Sequence, residues 1–413
     1  MLQMNFIDRL AVAAMATALA TSPAQAHWVA SWTASPHAPL ASEGPFAPPS
    51  YDDVTISQTL RLSEGGDRLR VRFSNRYGDR PLEVGAARVF RIDGEGRELP
   101  GTSRTLTFAG EAGAVIPRGA PFASDVVALP TGDFDKVKVE FYLPQATGPC
   151  TCHLTGLDEL AVSAPGDHVG QDWQPVSTAQ MRAFLSVVEV ESDDAHGTIV
   201  TFGDSITDGV GSTPGADRRW PDVLAERLEA AGKEYAVANA GISGNRLLSP
   251  GMGESALARL DEDVLSLPNV SHMIVFIGVN DIGNRYGETR GTIPGFPELD
   301  QPQIDVAQMI AGYRQLIART RAKGIKVIGS PIAPYKGATY WSEEGEAARQ
   351  AINDWIINSG EFDAVVRLDS AFASPDDPER MREGYHMGDF LHGSDAGLRA
   401  VGESIELSLF AAD

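Results

Sequence analysis

The hydrophobic period of the chain changes near residue 196, and that change constrains the architecture more than any other feature. Before it, polar and apolar residues alternate in Thr55-Ile-Ser-Gln-Thr-Leu-Arg-Leu, Arg68-Leu-Arg-Val-Arg-Phe and Lys136-Val-Lys-Val-Glu-Phe, and less cleanly in Asp125-Val-Val-Ala-Leu. Turn signals such as Glu64-Gly-Gly-Asp, Asp93-Gly-Glu-Gly and Thr131-Gly-Asp punctuate them. A period of two sends successive side chains to opposite faces of a sheet. With Gly-rich turns and no long amphipathic helix, the pattern predicts an antiparallel sandwich from about Tyr51 to Val190. After His196, short apolar runs alternate with helical stretches. The runs are Thr198–Phe202, Tyr235–Asn239, Met273–Ile277, Lys326–Ser330 and Val365–Leu368. The helical stretches are Ala216–Ala231, Ile304–Ala322, Ser342–Ile357 and Asp395–Leu409, the first two closed by Gly232 and Gly324. Apolar runs suit parallel strands buried on both faces. Alternating β and α elements predict a five-stranded parallel sheet with helices on both sides.

The amino terminus has the pattern of an export signal. Arg9 precedes an apolar run from Leu10 to Ala20, and Ala24-Gln25-Ala26 is an A-x-A cleavage site. The run is shorter than the roughly 20 residues a membrane helix needs. The expected organisation is a signal peptide over 1–26, a β-sandwich domain over 27–195 and an α/β domain over 196–413. No later stretch is long and apolar enough for stable membrane insertion, so an exported product is expected. With 56 acidic against 34 basic residues and a net charge of −22, nucleic acid is not an expected partner, since phosphate binding needs Lys and Arg. Oligomeric state is not legible.

The chain has two cysteines, in Pro149-Cys150-Thr151-Cys152-His153. An oxidising compartment permits a local disulfide between Cys150 and Cys152. Two buried thiols remain the alternative. A Cys-x-Cys-His metal site lacks a fourth ligand nearby, and no metal is expected. His153 is expected to hydrogen-bond within the sandwich.

In an open parallel sheet, ligands bind beyond the carboxyl ends of the strands. Four segments fall there: Gly203-Asp-Ser-Ile-Thr-Asp-Gly209, Asn239-Ala-Gly-Ile-Ser-Gly-Asn245, Gly278-Val-Asn-Asp281 and Asp389-Phe-Leu-His392. Together they suggest acyl transfer by an activated serine. Ser205 needs a base within hydrogen-bond reach, which His392 supplies, while Asp389 holds the imidazole tautomer. Backbone N–H groups of Ser205 and Gly244 and the side-chain amide of Asn280 are candidate oxyanion donors. Asp204, Asp208 and Asp281 read as structural acids, with Asp208 capping a turn and Asp281 ordering the Asn280 loop. His386, with Glu383 three residues ahead of it, is a decoy for the base.

These blocks resemble the GDSL, or SGNH, hydrolase family, in order and spacing as well as in sequence, over residues ~198–410. The resemblance implies an α/β/α sandwich of flavodoxin-like topology and a hydrolase without metal or cofactor. It implies Ser205 as nucleophile, Gly244 and Asn280 completing the oxyanion hole, and Asp389 with His392 completing the triad. Gly393 stands where the family commonly has Pro after the histidine. The front half, with Trp28-Val-Ala-Ser-Trp and Phe73-Ser-Asn-Arg-Tyr-Gly, looks like the β-domain of a secreted two-domain branch.

Gly209-Val-Gly-Ser-Thr-Pro-Gly215 imitates a dinucleotide loop, but the following strand ends in Asn239-Ala-Gly without the acid that would bind a ribose. Walker A, HExxH and GxSxG sequences are absent. Gly283–Gln303 reads as a long Gly/Pro-bearing loop of the kind that covers sites. Arg246, Tyr286, Tyr335 and Trp341, with Tyr340, are candidate substrate contacts. The expected function is a secreted serine esterase for short-chain carboxylic esters. The alternatives are a carbohydrate acetylesterase acting on polysaccharide and a non-catalytic carbohydrate-binding protein on an inert hydrolase fold.

Overall fold

The computed structural model describes residues 27–39, 47–287 and 304–410. The export pattern at 1–26 and the greater part of the 283–303 segment lie outside them.

The β-rich region holds two main antiparallel sheets. In one, Leu185–Ser192 lies between His27–Thr33 and Gly66–Ser74, and Gly66–Ser74 also pairs with Pro121–Ala123 and Val127–Thr131. The other runs Ser177–Ala179, Leu160–Pro165, Val54–Arg61, Lys136–Leu143, Ala86–Arg91, Arg104–Thr105. Alternation explains the packing: Val137, Val139, Phe141 and Leu143 point inward from one strand and meet Val71, Phe73, Val188 and Val190 of the other sheet in one core. The strand expected from Asp125 begins at Val127. Asp125 instead accepts hydrogen bonds from Thr107 Oγ1 (2.7 Å) and the N–H groups of Ala109 and Gly110 (3.0 and 2.8 Å), which fixes a turn.

The α/β region is built on β1 (Gly197–Gly203), β2 (Tyr235–Gly241), β3 (Val270–Phe276), β4 (Lys326–Gly329) and β5 (Ala364–Val365). All pair in parallel, in the order 2-1-3-4-5, the flavodoxin-like arrangement. Helices α1 (Ser205–Asp208), α2 (Trp220–Ala230), α3 (Ala256–Leu260), α4 (Val279–Tyr286), α5 (Val306–Arg321), α6 (Glu343–Asn358), α7 (Leu368–Phe372) and α8 (Asp395–Glu403) connect and flank them. Successive strand residues serve opposite faces. Met273 and Val275 pack with α5 and α6, whereas Ile274 and Phe276 pack with α2, α7 and α8.

Several boundaries differ from the sequence reading. Helix α2 starts at Trp220 rather than Ala216, because Arg219 is extended and Pro221 occupies the first turn, where its missing N–H costs nothing. The last helix ends at Glu403, and only a 3₁₀ turn, Leu407–Leu409, follows. Strand β5 is two residues long, since Leu368 already opens α7. Helix α4 takes Gly283 to Tyr286 out of the segment read as loop.

The two regions meet along a polar seam. Ala30 N–H donates to Thr198 Oγ1 (3.0 Å), Thr33 Oγ1 to Asn239 O (2.7 Å) and Val237 N–H to Ser63 Oγ (2.9 Å). Glu64, next to Ser63, is buried and accepts from Ser192 Oγ at 3.0 Å. Burial and the nearby carboxylate of Asp133 push its pKa up to about 8. A carboxyl whose folded pKa is raised contributes its stability below the unfolded pKa near 4.5, and loses it as pH rises through about 8. Glu64→Gln is therefore expected to flatten this decline, gaining on the order of 2 kcal/mol relative to wild type between pH 5 and pH 8. Urea denaturation at the two pH values checks this; an equal difference at both would refute it.

Candidate active site

Close backbone approach sets the position of Ser205. A Cβ on Gly203 would lie 2.2 Å from Thr207 Oγ1, and one on Gly241 would lie 2.2 Å from Asp208 N. Glycine at both strand ends thus lets α1 sit directly against the sheet edge. Asp204 caps α1, accepting from Ile206 N–H at 3.1 Å. Burial pushes the Asp204 carboxyl up to about 7. Ser205, the first residue of α1, is 3% exposed.

The imidazole arrives on a hairpin between β5 and α8. Met387 N–H donates to His392 O and Ser394 N–H to Tyr385 O, both at 2.9 Å. At its tip Phe390 adopts a left-handed φ of 61°, and Asp389 Oδ1 accepts from the N–H groups of Leu391 and His392 at 3.0 Å each. His392 Nε2 lies 2.9 Å from Ser205 Oγ, and His392 Nδ1 lies 2.6 Å from Asp389 Oδ2. Burial opposes charge on Asp389, but the hydrogen bonds from the His392 ring and from the two backbone N–H groups outweigh it and lower the pKa to about 2. An ionised Asp389 can only accept, so Nδ1 carries the proton and Nε2 is left to accept from Ser205. His386 has another setting. Its Nδ1 accepts from Gly388 N–H at 3.1 Å, its ring packs on Phe390 at 4.4 Å, and Glu383 is 4.0 Å away.

Three N–H donors belong to the same strand ends. The N–H of Ser205 opens a helix, where no intrahelical acceptor exists. Neither it nor the N–H of Gly244 has an acceptor among the described residues. Gly244 has φ 72°, and a Cβ there would meet Met252 at 2.8 to 3.0 Å. Asn280, in the first turn of α4, donates one amide hydrogen to Asn245 O at 3.0 Å, and Tyr340 OH approaches its Oδ1 at 3.4 Å. The second amide hydrogen has no acceptor among the described residues. Asp281 accepts from Leu247 N–H (2.8 Å) and so ties α4, which carries Asn280, to the segment after Gly244; burial raises its pKa to about 6.

Residues 201–400 match the sequence model of the GDSL-like lipase/acylhydrolase family. This part of the chain is a GDSL-like lipase/acylhydrolase domain. No curated protein matches the chain. Among solved structures, the lipase/acylhydrolase from Enterococcus faecalis is 22% identical, covering 50% of this chain and 92% of its own, with a TM-score of 0.37. The acetyl xylan esterase AlAXEase is 22% identical over 50% of this chain and 96% of its own, with a TM-score of 0.37. A variant of Axe2, an acetyl xylan esterase from Geobacillus stearothermophilus, is 20% identical over 53% and 96%, with a TM-score of 0.39.

The GDSL-like domain disposes the other candidate residues differently from one another. Tyr335 is fully buried in the core, and Gly345 lies against its hydroxyl, so it lines no open pocket. Tyr286 and Trp341 are partly buried and pack on the same core, and Lys336 lies over the Trp341 ring at 6.0 Å. Arg246 is buried; its carbonyl accepts from Ala256 N–H at 2.9 Å, while its guanidinium makes no hydrogen bond or ion pair among the described residues; burial lowers its pKa and Asp281 opposes the shift. Cys150 and Cys152 are joined in a buried disulfide with Cα atoms 5.3 Å apart. Among the described residues no group of His, Cys, Asp and Glu side chains is arranged to hold a metal ion, and no helix is long and apolar enough to cross a membrane.

Two features escape the sequence reading. Arg259, buried on α3, donates to Gly203 O (2.9 Å), Ala240 O (2.8 Å), Asn245 Oδ1 (3.0 Å) and Asp263 (2.8 Å), joining the ends of β1 and β2 to the Gly244 loop. Its i,i+4 spacing to Asp263 resembles an ordinary surface pair, so the sequence carries no signal. The second is the link between His153 and Asp208. His153 bonds within the β-rich region through Nδ1 to Ser35 O (2.8 Å), but its Nε2 also reaches Asp208 across the seam at 3.0 Å, and Asp208 holds not its own helix, which Asp204 and Gly209 cap, but the turn at Ser243.

Proposed function

We propose that the chain is an exported serine esterase that cleaves short-chain carboxylic esters. The observation that supports this most directly is the continuous hydrogen-bonded line Ser205 Oγ, His392 Nε2, His392 Nδ1, Asp389 Oδ2, with steps of 2.9 and 2.6 Å, at the strand ends of an acylhydrolase-family domain. In this reading Ser205 Oγ attacks the acyl carbon as Nε2 takes its proton. The N–H groups of Ser205 and Gly244 and the amide of Asn280 stabilise the tetrahedral oxyanion. Protonated His392 then returns its proton to the departing alcohol. Water, deprotonated by the same ring, releases the acid from the acyl-enzyme. The division into units 27–195 and 196–413 belongs to this proposal. So does export, which the pattern of Arg9, Leu10–Ala20 and Ala24-Gln-Ala26 supports.

The test is a panel of chromogenic esters from acetyl to long acyl chains, run beside acetylated xylan. The expected result is a maximum of kcat/KM at acetyl to butyryl. Acetate release from xylan far above small-ester cleavage would make the carbohydrate acetylesterase the better reading. Binding of xylan without turnover of any substrate would leave the inert binding module.

A further inference from the structure

A buried chain of hydrogen bonds crosses from the β-rich region to the loop that carries Gly244. His153 follows the disulfide on the two-residue strand Cys152–His153. Its Nδ1 lies 2.8 Å from Ser35 O, and its Nε2 lies 3.0 Å from Asp208 Oδ1. Asp208 ends α1, three residues after Ser205. Its Oδ2 accepts from both the N–H (2.8 Å) and the hydroxyl (2.6 Å) of Ser243. Ser243 Oγ is in turn 2.8 Å from Thr155 Oγ1, again on the β-rich side. His153, Asp208 and Ser243 are all buried.

The protonation of this chain is constrained by its acceptors. A carbonyl oxygen only accepts, so Nδ1 of His153 carries a proton. Nε2 faces a carboxylate oxygen, so a second proton sits between ring and acid. Such a pair is directional and costly to leave half-made in a buried site. Asp208 is surplus to α1, and what it anchors is Ser243, the residue immediately before Gly244. A hydrogen bond to the N–H and one to the hydroxyl of the same residue fix its backbone in position and in rotation. That in turn sets the direction of the next peptide N–H.

We propose that His153 is a positioning residue: through Asp208 and Ser243 it aims the Gly244 N–H at the oxyanion, so the β-rich region completes the catalytic centre of the α/β region. This rests on the esterase reading above.

The experiment compares His153→Ala, His153→Gln and Ser243→Ala with wild type in the full chain. Rates are taken per active site, counted with an organophosphorus titrant. His153→Ala is expected to lose about 10²-fold in kcat, the scale of a 1 Å misplacement, with KM within about twofold. Affinity for a boronic acid that forms a tetrahedral adduct on Ser205 falls by the same factor, because the adduct uses the same donors. His153→Gln, whose amide still donates to Asp208, recovers at least about tenfold of the loss. Ser243→Ala, which replaces no residue of the β-rich region, reproduces the kcat and boronate losses, and it decides the matter if His153→Ala does not fold. A kcat per titrated site within about threefold of wild type in these Ala variants would overturn the proposal, even with thermal stability reduced, since a purely structural contact would show that outcome. A kcat for Ser205→Ala above about a hundredth of wild type would instead sink the esterase reading, whatever the His153 variants do.

Discussion

Ser205→Ala is expected to lower kcat for an acetyl ester by about 10⁶-fold, the scale seen when a serine hydrolase loses its nucleophile. The physical argument is local. The hydroxyl is the atom that joins the acyl carbon, and no second hydroxyl shares His392 Nε2 among the described residues. Thr207, two residues on, is fully buried behind Gly203, and Ser243, beside Gly244, donates its hydroxyl to Asp208. Residual hydrolysis of about 10³-fold over water would persist from the oxyanion donors alone. The fold is expected to stand, because α1 is capped by the Asp204 side chain and closed by Gly209, not by the serine hydroxyl. Initial rates beside circular dichroism and a thermal melt check both halves. A folded variant that retains more than about a hundredth of wild-type kcat would show that Ser205 does not carry the reaction.

What the sequence disclosed follows from what is local. The period of two in Lys136–Leu143 and the apolar runs of β1 to β3 are written in consecutive residues, because a strand buried on one face must alternate and one buried on both must not. The segments that gather Ser205, Gly244, Asn280 and His392 were legible for a related reason. The first three begin where an apolar run stops, and a parallel sheet brings such ends to one edge; the His392 segment was marked instead by its place just before the last helix and by its likeness to the family block. Helix α4 was hidden because Gly278 precedes it and Gly283 lies inside it, both of which read as loop. Gly283 is there because the Tyr340 ring occupies the space of its Cβ, a contact 57 positions away. The same holds for His153. Its partner lies 55 residues along the chain and in the other region, so neither periodicity nor spacing points to it. Tyr335 failed as a pocket residue on similar grounds. An aromatic after a strand has no local mark that says whether it faces a cleft or the core.

Asp389→Asn is the sharper test of how the imidazole is held. The substitution preserves size, and the amide oxygen can still accept from the N–H groups of Leu391 and His392 that close the hairpin turn. With that oxygen kept in place, the amide NH₂ group falls where Oδ2 now accepts from His392 Nδ1. An NH₂ group there cannot accept, so it favours the tautomer with the proton on Nε2. That ring can no longer take a proton from Ser205, and the carboxylate that would stabilise the imidazolium is gone. Loss of about 10⁴-fold in kcat is expected, the magnitude of a wrong-tautomer triad, with KM changed by far less. The thermal midpoint is expected to move little, because Asp389 is partly exposed and an exposed ion pair contributes little to stability. Near-normal turnover by a folded Asp389→Asn would mean that another acid orients His392, and Glu383 beside His386 would be the next residue to replace. A thermal collapse together with the loss of rate would instead assign the Asp389 bonds to the hairpin itself. The two outcomes separate because one carboxylate oxygen serves the backbone turn and the other serves the ring.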